Sequence, residues 1–389
     1  MVMLADTDAG SIITAAQSGA RWGYAMLLPQ VALIPVLFLV QEMTVRLGAA
    51  TGKGHGELIR ERFGPGWAAL SVGTLFLSGV GALVTEFSGI AGFGLLFGVP
   101  AWLSVSLATV LLVALGLSGS YRRVERVGIA VGLLELFFIP AAVMAHPNAA
   151  SLAAGLGSLP ITSRGYVFLV AANVGAVIMP WMVFYQQGAV VDKALRVRHL
   201  PHARWDTLAG SILTQVIMIA VVVATAATLG QTSPGQPLNS VGEIADALTP
   251  FIGAVGARAI FGLGILGASF VAALVVSIAG AYGVGEALGL PHSLNSRPRQ
   301  APLFYGVYTL AHVGGALLVI LSIGSLVNVS IDVEVMNAML LPIVLGFLLV
   351  LEARALPRRW RMHGAHRYAV WAVSALVMAF GLYMAATMV

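Results

Sequence analysis

The segment 101–117, AWLSVSLATVLLVALGL, carries no charged residue, and stretches like it recur along most of the chain. Such a run has one natural setting. In the hydrocarbon of a bilayer no water reaches the backbone, so every N–H and C=O must be satisfied internally, and an α-helix of about 20 mostly apolar residues does this while crossing. The composition agrees: of 389 residues, 59% are apolar and only 10% are charged, against about 25% charged in a soluble domain. Too few charges remain to coat a water-facing surface. Glycine is frequent at 45 residues, as in membrane helices. Cysteine is absent, which excludes disulfides, thiolate metal sites and thiol chemistry.

Reading for apolar runs gives eleven spans: the start to Ser18 (short and broken), Trp22–Leu47, Trp67–Phe97, Ala101–Leu117, Val127–Ala145, Tyr166–Ala189 (interrupted), Trp205–Leu229, Ala259–Leu288, Phe304–Ile323, Leu326–Leu351 and Ala369–Met388. The basic residues test this count. Eighteen of the 21 Lys and Arg fall in alternate loops, and only Arg21, Arg164 and Arg258 lie on the other side. Cytoplasmic loops carry the Lys/Arg excess, so the alternation predicts a cytoplasmic N-terminus and an extracytoplasmic C-terminus in the plasma membrane. It also turns the net charge of +5 into a topology signal and sets nucleic-acid binding aside. The whole chain, 1–389, reads as a single transmembrane domain. Its one amphipathic segment at the cytoplasmic surface is His55–Phe63.

Two spans are interrupted at corresponding places. The first contains Asp6-Thr-Asp8-Ala-Gly10-Ser11. The sixth contains Asn173-Val-Gly175-Ala176-Val-Ile-Met179-Pro180-Trp181. Paired interruptions in two halves point to a transport site near the bilayer midplane. Glycine and proline free carbonyls there, and a freed carbonyl in the membrane needs a partner; a cation is one. The bland alternative for Met-Pro-Trp is a plain proline kink.

An ionisable residue at bilayer depth costs at least about 2.5–3.5 kcal/mol on insertion scales. Asp8, in the first interruption, is the leading candidate ligand. Glu86 lies midway along the third span with no basic neighbour in sequence. Asp332 and Glu334 lie in the tenth span, as a site element or as vestibule lining. Glu42 and Arg46, four apart on a helix, read as an ion pair, and Glu135 as paired or snorkelling. Gly262-x-Gly264-x-x-Gly267 imitates a dinucleotide fingerprint, but it sits inside an apolar span with no strand before it, so it reads as helix-packing glycine. His312 reads as a hydrogen-bonded packing residue. No nucleophile or cofactor motif suggests an enzyme, and no cofactor or obligatory protein partner is expected.

Over nearly its whole length the chain resembles the Nramp family of divalent-metal transporters. That family carries Asp-Pro-Gly-Asn in its first helix and Ala-x-x-Met-Pro-His in its sixth. Here they read Asp8-Ala9-Gly10-Ser11 and Ala176-Val-Ile-Met179-Pro180-Trp181. Arg46-Leu-Gly-Ala-Ala-Thr-Gly-Lys53 and Leu96-Phe-Gly-Val-Pro100 look like the family's second- and third-helix exits. The resemblance implies an all-α membrane protein with a LeuT-type fold. It would have two inverted five-helix repeats (about 1–146 and 163–352), an eleventh helix (about 366–389), and broken helices one and six. It also implies a metal site of Asp8, Ser11, Ala176 and Met179. Gly175 and Glu334 stand second, and Glu86 and Asp332 are proton or vestibule residues.

Besides Ala9 and Ser11 in the first motif, two further positions depart from the family. Trp181 replaces the motif histidine, and Leu83 stands where typical members carry a proton-handling aspartate. The pattern is similar to the Nramp-related magnesium transporter branch, which Thr85-Glu-Phe-Ser-Gly-Ile90 and Met179-Pro-Trp-Met-Val-Phe-Tyr-Gln-Gln187 also fit. Thioether sulfur favours softer metals than Mg²⁺. Ser11, shorter than asparagine, leaves room for a partly hydrated ion, and Mg²⁺ sheds water reluctantly. The expectation is import of Mg²⁺, with Mn²⁺ also accepted, by alternating access with weak or absent proton coupling. The membrane potential, worth about 2.3 kcal/mol per charge per 100 mV, would drive it. The alternatives are a proton-coupled Mn²⁺/Fe²⁺ transporter of the same family and, further off, an amino-acid or organic-solute symporter of the same fold. Seven residues precede Asp8, about 10 Å of helix, so a late start and a short inner half-helix are expected.

Overall fold

The computed structural model of the chain describes residues 1–232, 235–321 and 326–388. Helices account for almost all of it. The first interrupted span is α1 (Val2–Asp6) and α2 (Ala9–Trp22), with Thr7 and Asp8 unwound between them. A 3₁₀ turn, Gly23–Met26, leads into α3 (Leu27–Thr51). That helix stops at Gly52, whose left-handed backbone (φ 66°) lets its N–H return to the Gly48 carbonyl. The surface helix α4 spans His55–Phe63, as expected from the sequence. Next come α5 (Pro65–Leu96), α6 (Ala101–Gly116) and α7 (Tyr121–Gly132), the last continuing through a 3₁₀ stretch, Leu133–Phe137, into α8 (Phe138–Met144). After α9 (Ala149–Gly157) the second half opens with α10 (Arg164–Val177) and α11 (Pro180–Asp192), the interrupted sixth span. It continues with α12 (Leu200–Ala227), α13 (Leu229–Thr232), α14 (Val241–Asp246), α15 (Thr249–Leu288), α16 (Pro302–Leu321), α17 (Leu326–Ala355) and α18 (Gly364–Met388).

Among the described residues, nine stretches are long and apolar enough to cross a membrane. Eleven spans are expected from the apolar runs in the sequence. Two of those fall within the one apolar stretch Ala9–Thr51, in which α2 ends at Gly23 (φ 58°, ψ −142°) and α3 begins at Leu27, so they remain separate helices joined by the 3₁₀ turn. Ala101–Gly116 has 16 residues, about 24 Å of helix, short of the hydrocarbon thickness unless the bilayer thins around it. The expected end of the ninth span at Ile323 lies outside the described residues.

The centre is built from the interrupted helices. The unwound ends of α1, α2, α10 and α11 are buried, and α5, α15 and α17 pack around them. Trp181, Phe184, Tyr185 and Phe87 are fully buried there. The periphery is the reverse: Leu107, Val110, Leu310 and Leu376 are largely exposed. An apolar exterior over a polar centre suits lipid as the surrounding solvent. The glycine fingerprint serves packing. A Cβ on Gly264 would lie 2.6 Å from the Phe138 ring, and one on Gly267 would lie 2.7 Å from the Val131 carbonyl.

Candidate functional site

Each interruption has a chemical cause in its own sequence. In an α-helix the N–H of residue i bonds the C=O of residue i−4. Pro180 has no N–H, so the Ala176 carbonyl loses its helical donor. Proline also pushes the residue before it out of the helical region, and Met179 is extended (φ −97°, ψ 141°) with Pro180 opening α11. In the first interruption Asp8 is extended (φ −70°, ψ 175°), and its carboxylate caps α2 by accepting the Ser11 N–H at 2.7 Å.

Ser11 ties the two breaks together. Its hydroxyl lies 3.0 Å from the Asp6 carbonyl oxygen and 2.9 Å from that of Ala176. One hydroxyl proton serves one of these carbonyls at a time. Two freed carbonyls, a hydroxyl oxygen and the capping carboxylate thus meet at the junction. Asp8, Ser11, Ala176 and Met179 are all fully buried. The Asp8 Oδ2 has no hydrogen-bond partner.

Four further carboxyl groups surround this junction. Glu86, on α5, accepts the Ala9 N–H at 3.1 Å and lies 3.1 Å from the Thr85 hydroxyl. Glu334, on α17, accepts the Asn337 side-chain amide at 3.0 Å, while its Oε1 is unpartnered and faces Gly10 closely enough that a Cβ there would stand 2.2 Å away. Asp6 is 1% exposed with both carboxylate oxygens unpartnered. Glu135 accepts the Thr7 hydroxyl of the first break. It is fully buried with Oε1 unpartnered, so it neither snorkels nor pairs with a base. None of the five has a Lys, Arg or His ion-pair partner among the described residues. Buried carboxylates without counter-charge are costly. Such a cluster is balanced by a bound cation or by protons.

Most of the residues expected from the sequence converge here. Gly175 plays a packing role, since a Cβ on it would stand 1.7 Å from the Glu334 backbone carbonyl, which is how closely α10 and α17 approach. Trp181 is buried with its indole N–H unpartnered. Asp332 does not join. It is exposed, because two positions along a helix is a turn of about 200° and Glu334 takes the inward face. Asp6 joins the cluster although it is not among the residues the sequence points to as ligands. Its signal was present, a second aspartate in the same break. Asn173 is structural: its amide donates to Ser18 at 2.8 Å and its oxygen accepts from Gln30, fastening α10 to α2 and α3. Glu42 binds Arg46 at 2.7 Å as expected, and also Arg204 at 2.5 Å. His312 bonds the Tyr308 carbonyl at 2.9 Å, a packing role. Among the described residues no three His, Asp or Glu side chains form a ready-made metal cage. A cation at the junction would draw on the carbonyl and hydroxyl oxygens that meet beside Asp8, with Met179 buried at the second break.

Residues 1–387 match the profile of the Nramp family, described as "Natural resistance-associated macrophage protein-like". Among curated relatives, the "Divalent metal cation transporter MntH 1" of Pseudomonas aeruginosa is 28% identical over 299 residues, covering 72% of this chain and 66% of that protein. The "Divalent metal cation transporter MntH" of Ralstonia nicotianae is 28% identical over 340 residues, covering 82% and 76%. The matched region spans just under two thirds of the first few relatives. Among solved structures, a manganese transporter of Eremococcus coleocola superposes with TM-score 0.76 at 18% identity, covering 98% of this chain and 84% of that one. MhsT in complex with L-phenylalanine superposes with TM-score 0.58 at 12% identity, covering 96% and 97%. At these identities the superpositions speak for the fold, a LeuT-type arrangement with helices one and six broken.

Proposed function

The chain belongs to the Nramp family, and from that premise we propose that it moves divalent metal cations through a membrane by alternating access at the Asp8–Ser11/Ala176–Met179 junction. One observation carries the reading: a buried carboxylate with an unpartnered oxygen sits where two helices have each released a carbonyl, and the Ser11 hydroxyl joins them. A dehydrated cation needs such a cluster of oxygens, and little else would repay its burial. The ion would sit between the broken helices while one bundle rocks against the rest.

Two sequence expectations give way to their stated alternative. The Mg²⁺ preference rested on space left by the short Ser11 side chain. That hydroxyl bridges the two breaks at 3.0 and 2.9 Å, so the junction is drawn together rather than widened. Met179 is fully buried at the second break, and thioether sulfur suits Mn²⁺ or Fe²⁺ better than Mg²⁺. The relatives' names, divalent metal cation transporter and manganese transporter, point the same way. Mn²⁺/Fe²⁺ is therefore the better-supported cargo. Weak proton coupling was expected from Leu83 and Trp181. The five buried carboxyl groups offer ample places for a proton to exchange with a metal, which supports coupled transport. Orientation follows the basic loops, with the N-terminus cytoplasmic.

An organic-solute symporter is the less supported reading. A substrate carboxylate would seek the open N-terminus of a broken helix, but at α2 the Asp8 carboxylate already occupies that position. Purified protein in liposomes tests the proposal. Mn²⁺ influx should be accompanied by internal acidification and outcompete a Mg²⁺ excess. Uptake of amino acids without metal would sink it, and metal influx with no acidification would return the reading to uncoupled transport.

A further inference from the structure

Away from the helix breaks, a cavity of about 650 Å³ opens between α3, α12 and the loop from α17 to α18. Its polar side holds Glu42, Arg46, Arg204, Arg361, His363 and His366. Glu42 is 1% exposed and binds two guanidiniums, Arg46 at 2.7 Å and Arg204 at 2.5 Å. One carboxylate cannot neutralise both. With Arg361 added, the lining carries a net charge of +2 with both histidines neutral. Arg204 reaches Glu42 through Nε alone, and its side chain is 47% exposed. The other wall is apolar. Phe38 lies one helical turn from Glu42 on α3, and Trp205 and Leu208 follow Arg204 on α12. Trp205 is 73% exposed at the start of a membrane-spanning helix, where an indole lies at headgroup level.

We propose that this cavity binds an anionic phospholipid, its phosphate held by Arg204 and Arg361 and an acyl chain lying along Phe38, Trp205 and Leu208. A free phosphate would satisfy the arginines but has no use for the apolar wall or for a volume that large. A neutral lipid would leave the excess positive charge unmatched. Basic pockets between membrane helices on the cytoplasmic side bind such headgroups, and planar guanidinium suits a phosphate bidentately. The lipid would clamp three elements together. α18, which packs mainly on α17 with smaller contacts to α3 and α10, would gain a further attachment at its first turn, where His366 lines the cavity.

The test uses the full chain in detergent, titrated with phosphatidylglycerol, with phosphatidylcholine of the same acyl chains, and with inorganic phosphate, and read by native mass spectrometry and thermal unfolding. Phosphatidylglycerol should bind and raise the unfolding temperature, while the other two should not. At about fivefold per basic residue, Arg204→Gln with Arg361→Gln should weaken binding roughly 25-fold. Arg361→Gln alone leaves the Glu42 pairs untouched and should weaken it about fivefold. Arg358→Gln removes the same charge from the same loop but not from the cavity, and should change affinity less than about twofold. Equal loss in Arg358→Gln would reduce the effect to general loop charge. Equal stabilisation by inorganic phosphate, or by phosphatidylcholine, would equally overturn the proposal.

Discussion

The Ser11 hydroxyl lies 2.9 Å from the Ala176 carbonyl oxygen, so one side chain of the first broken helix closes onto the backbone of the sixth. The contact exists because Pro180 removes the donor that Ala176 would meet in a continuous helix. Removing the Ser11 oxygen strands a buried carbonyl, which costs about 1–3 kcal/mol. Ser11→Ala should raise the Kd for Mn²⁺ roughly tenfold, about 1.4 kcal/mol. Asp8→Ala should cut uptake at least about 100-fold, beyond the loss usual for a supporting residue. Isothermal titration and liposome flux on the same preparations measure both. Wild-type uptake by Asp8→Ala would remove Asp8 from the site.

Two glycines near Glu334 should respond differently to the same added methyl group. At Gly175 the new Cβ would stand 1.7 Å from the Glu334 backbone carbonyl, and backbone cannot step aside. Gly175→Ala should separate α10 from α17 and cost more than the about 1–3 kcal/mol typical of overpacking, seen as poor folding and a lowered unfolding temperature. At Gly10 the obstacle is the Glu334 Oε1 at 2.2 Å, the tip of a flexible side chain. Gly10→Ala should fold but turn that carboxylate away, changing metal affinity more than stability. Gly280→Ala, whose methyl meets nothing within 4 Å, is the control for both.

Glu86 accepts the N–H of Ala9, the residue after Asp8. Glutamine keeps an acceptor oxygen but removes the ionisable proton. Glu86→Gln should therefore keep metal binding within about threefold, losing at most a charge-assisted fraction of one hydrogen bond. Proton influx per metal ion should fall by at least half. A pH-sensitive dye inside metal-loading liposomes reads this ratio directly. An unchanged ratio would move proton handling to the other carboxyl groups of the cluster.

How far the sequence disclosed this site depends on the kind of signal. Pro180 is visible as a letter, and its missing N–H predicts a break without any tertiary information. The Asp8 break and the helix His55–Phe63 follow from local capping and amphipathic pattern in the same way. Helix phase is a different matter. Asp332 and Glu334 sit in a helix whose surroundings, protein on one side and lipid on the other, are both apolar, so no polar face reveals which residue turns inward. Glu135 meets Thr7 from 128 residues away, a contact made by tertiary packing, with α15 lying against both α1 and the 3₁₀ stretch that carries Glu135. The bridging role of Ser11 was likewise hidden. Its small size read as spare room, whereas the fold sets that hydroxyl between two carbonyls, either of which it can serve.

Outside the membrane-spanning helices, His55 makes stability depend on pH. His55 opens α4, fully buried, with its ring 4.9 Å from Phe184. Gln187 donates to the Lys53 carbonyl at 2.9 Å, which turns its Oε1 toward the His55 Nδ1 at 3.3 Å and leaves Nε2 without a partner. Burial drives the imidazole down to about 4, and the Gln187 bond opposes this only in part. An unfolded histidine takes up its proton near 6.5, so between about pH 6.5 and 4 the unfolded chain binds one proton more than the folded one. Stability from this group is complete above pH 6.5 and is lost as pH falls toward 4, by up to about 3 kcal/mol. His55→Gln, neutral at every pH, should unfold with a flatter pH dependence across that window. Parallel wild-type and variant melting curves between pH 4 and 7 would instead mean that His55 is already charged, or already exposed, in the folded protein.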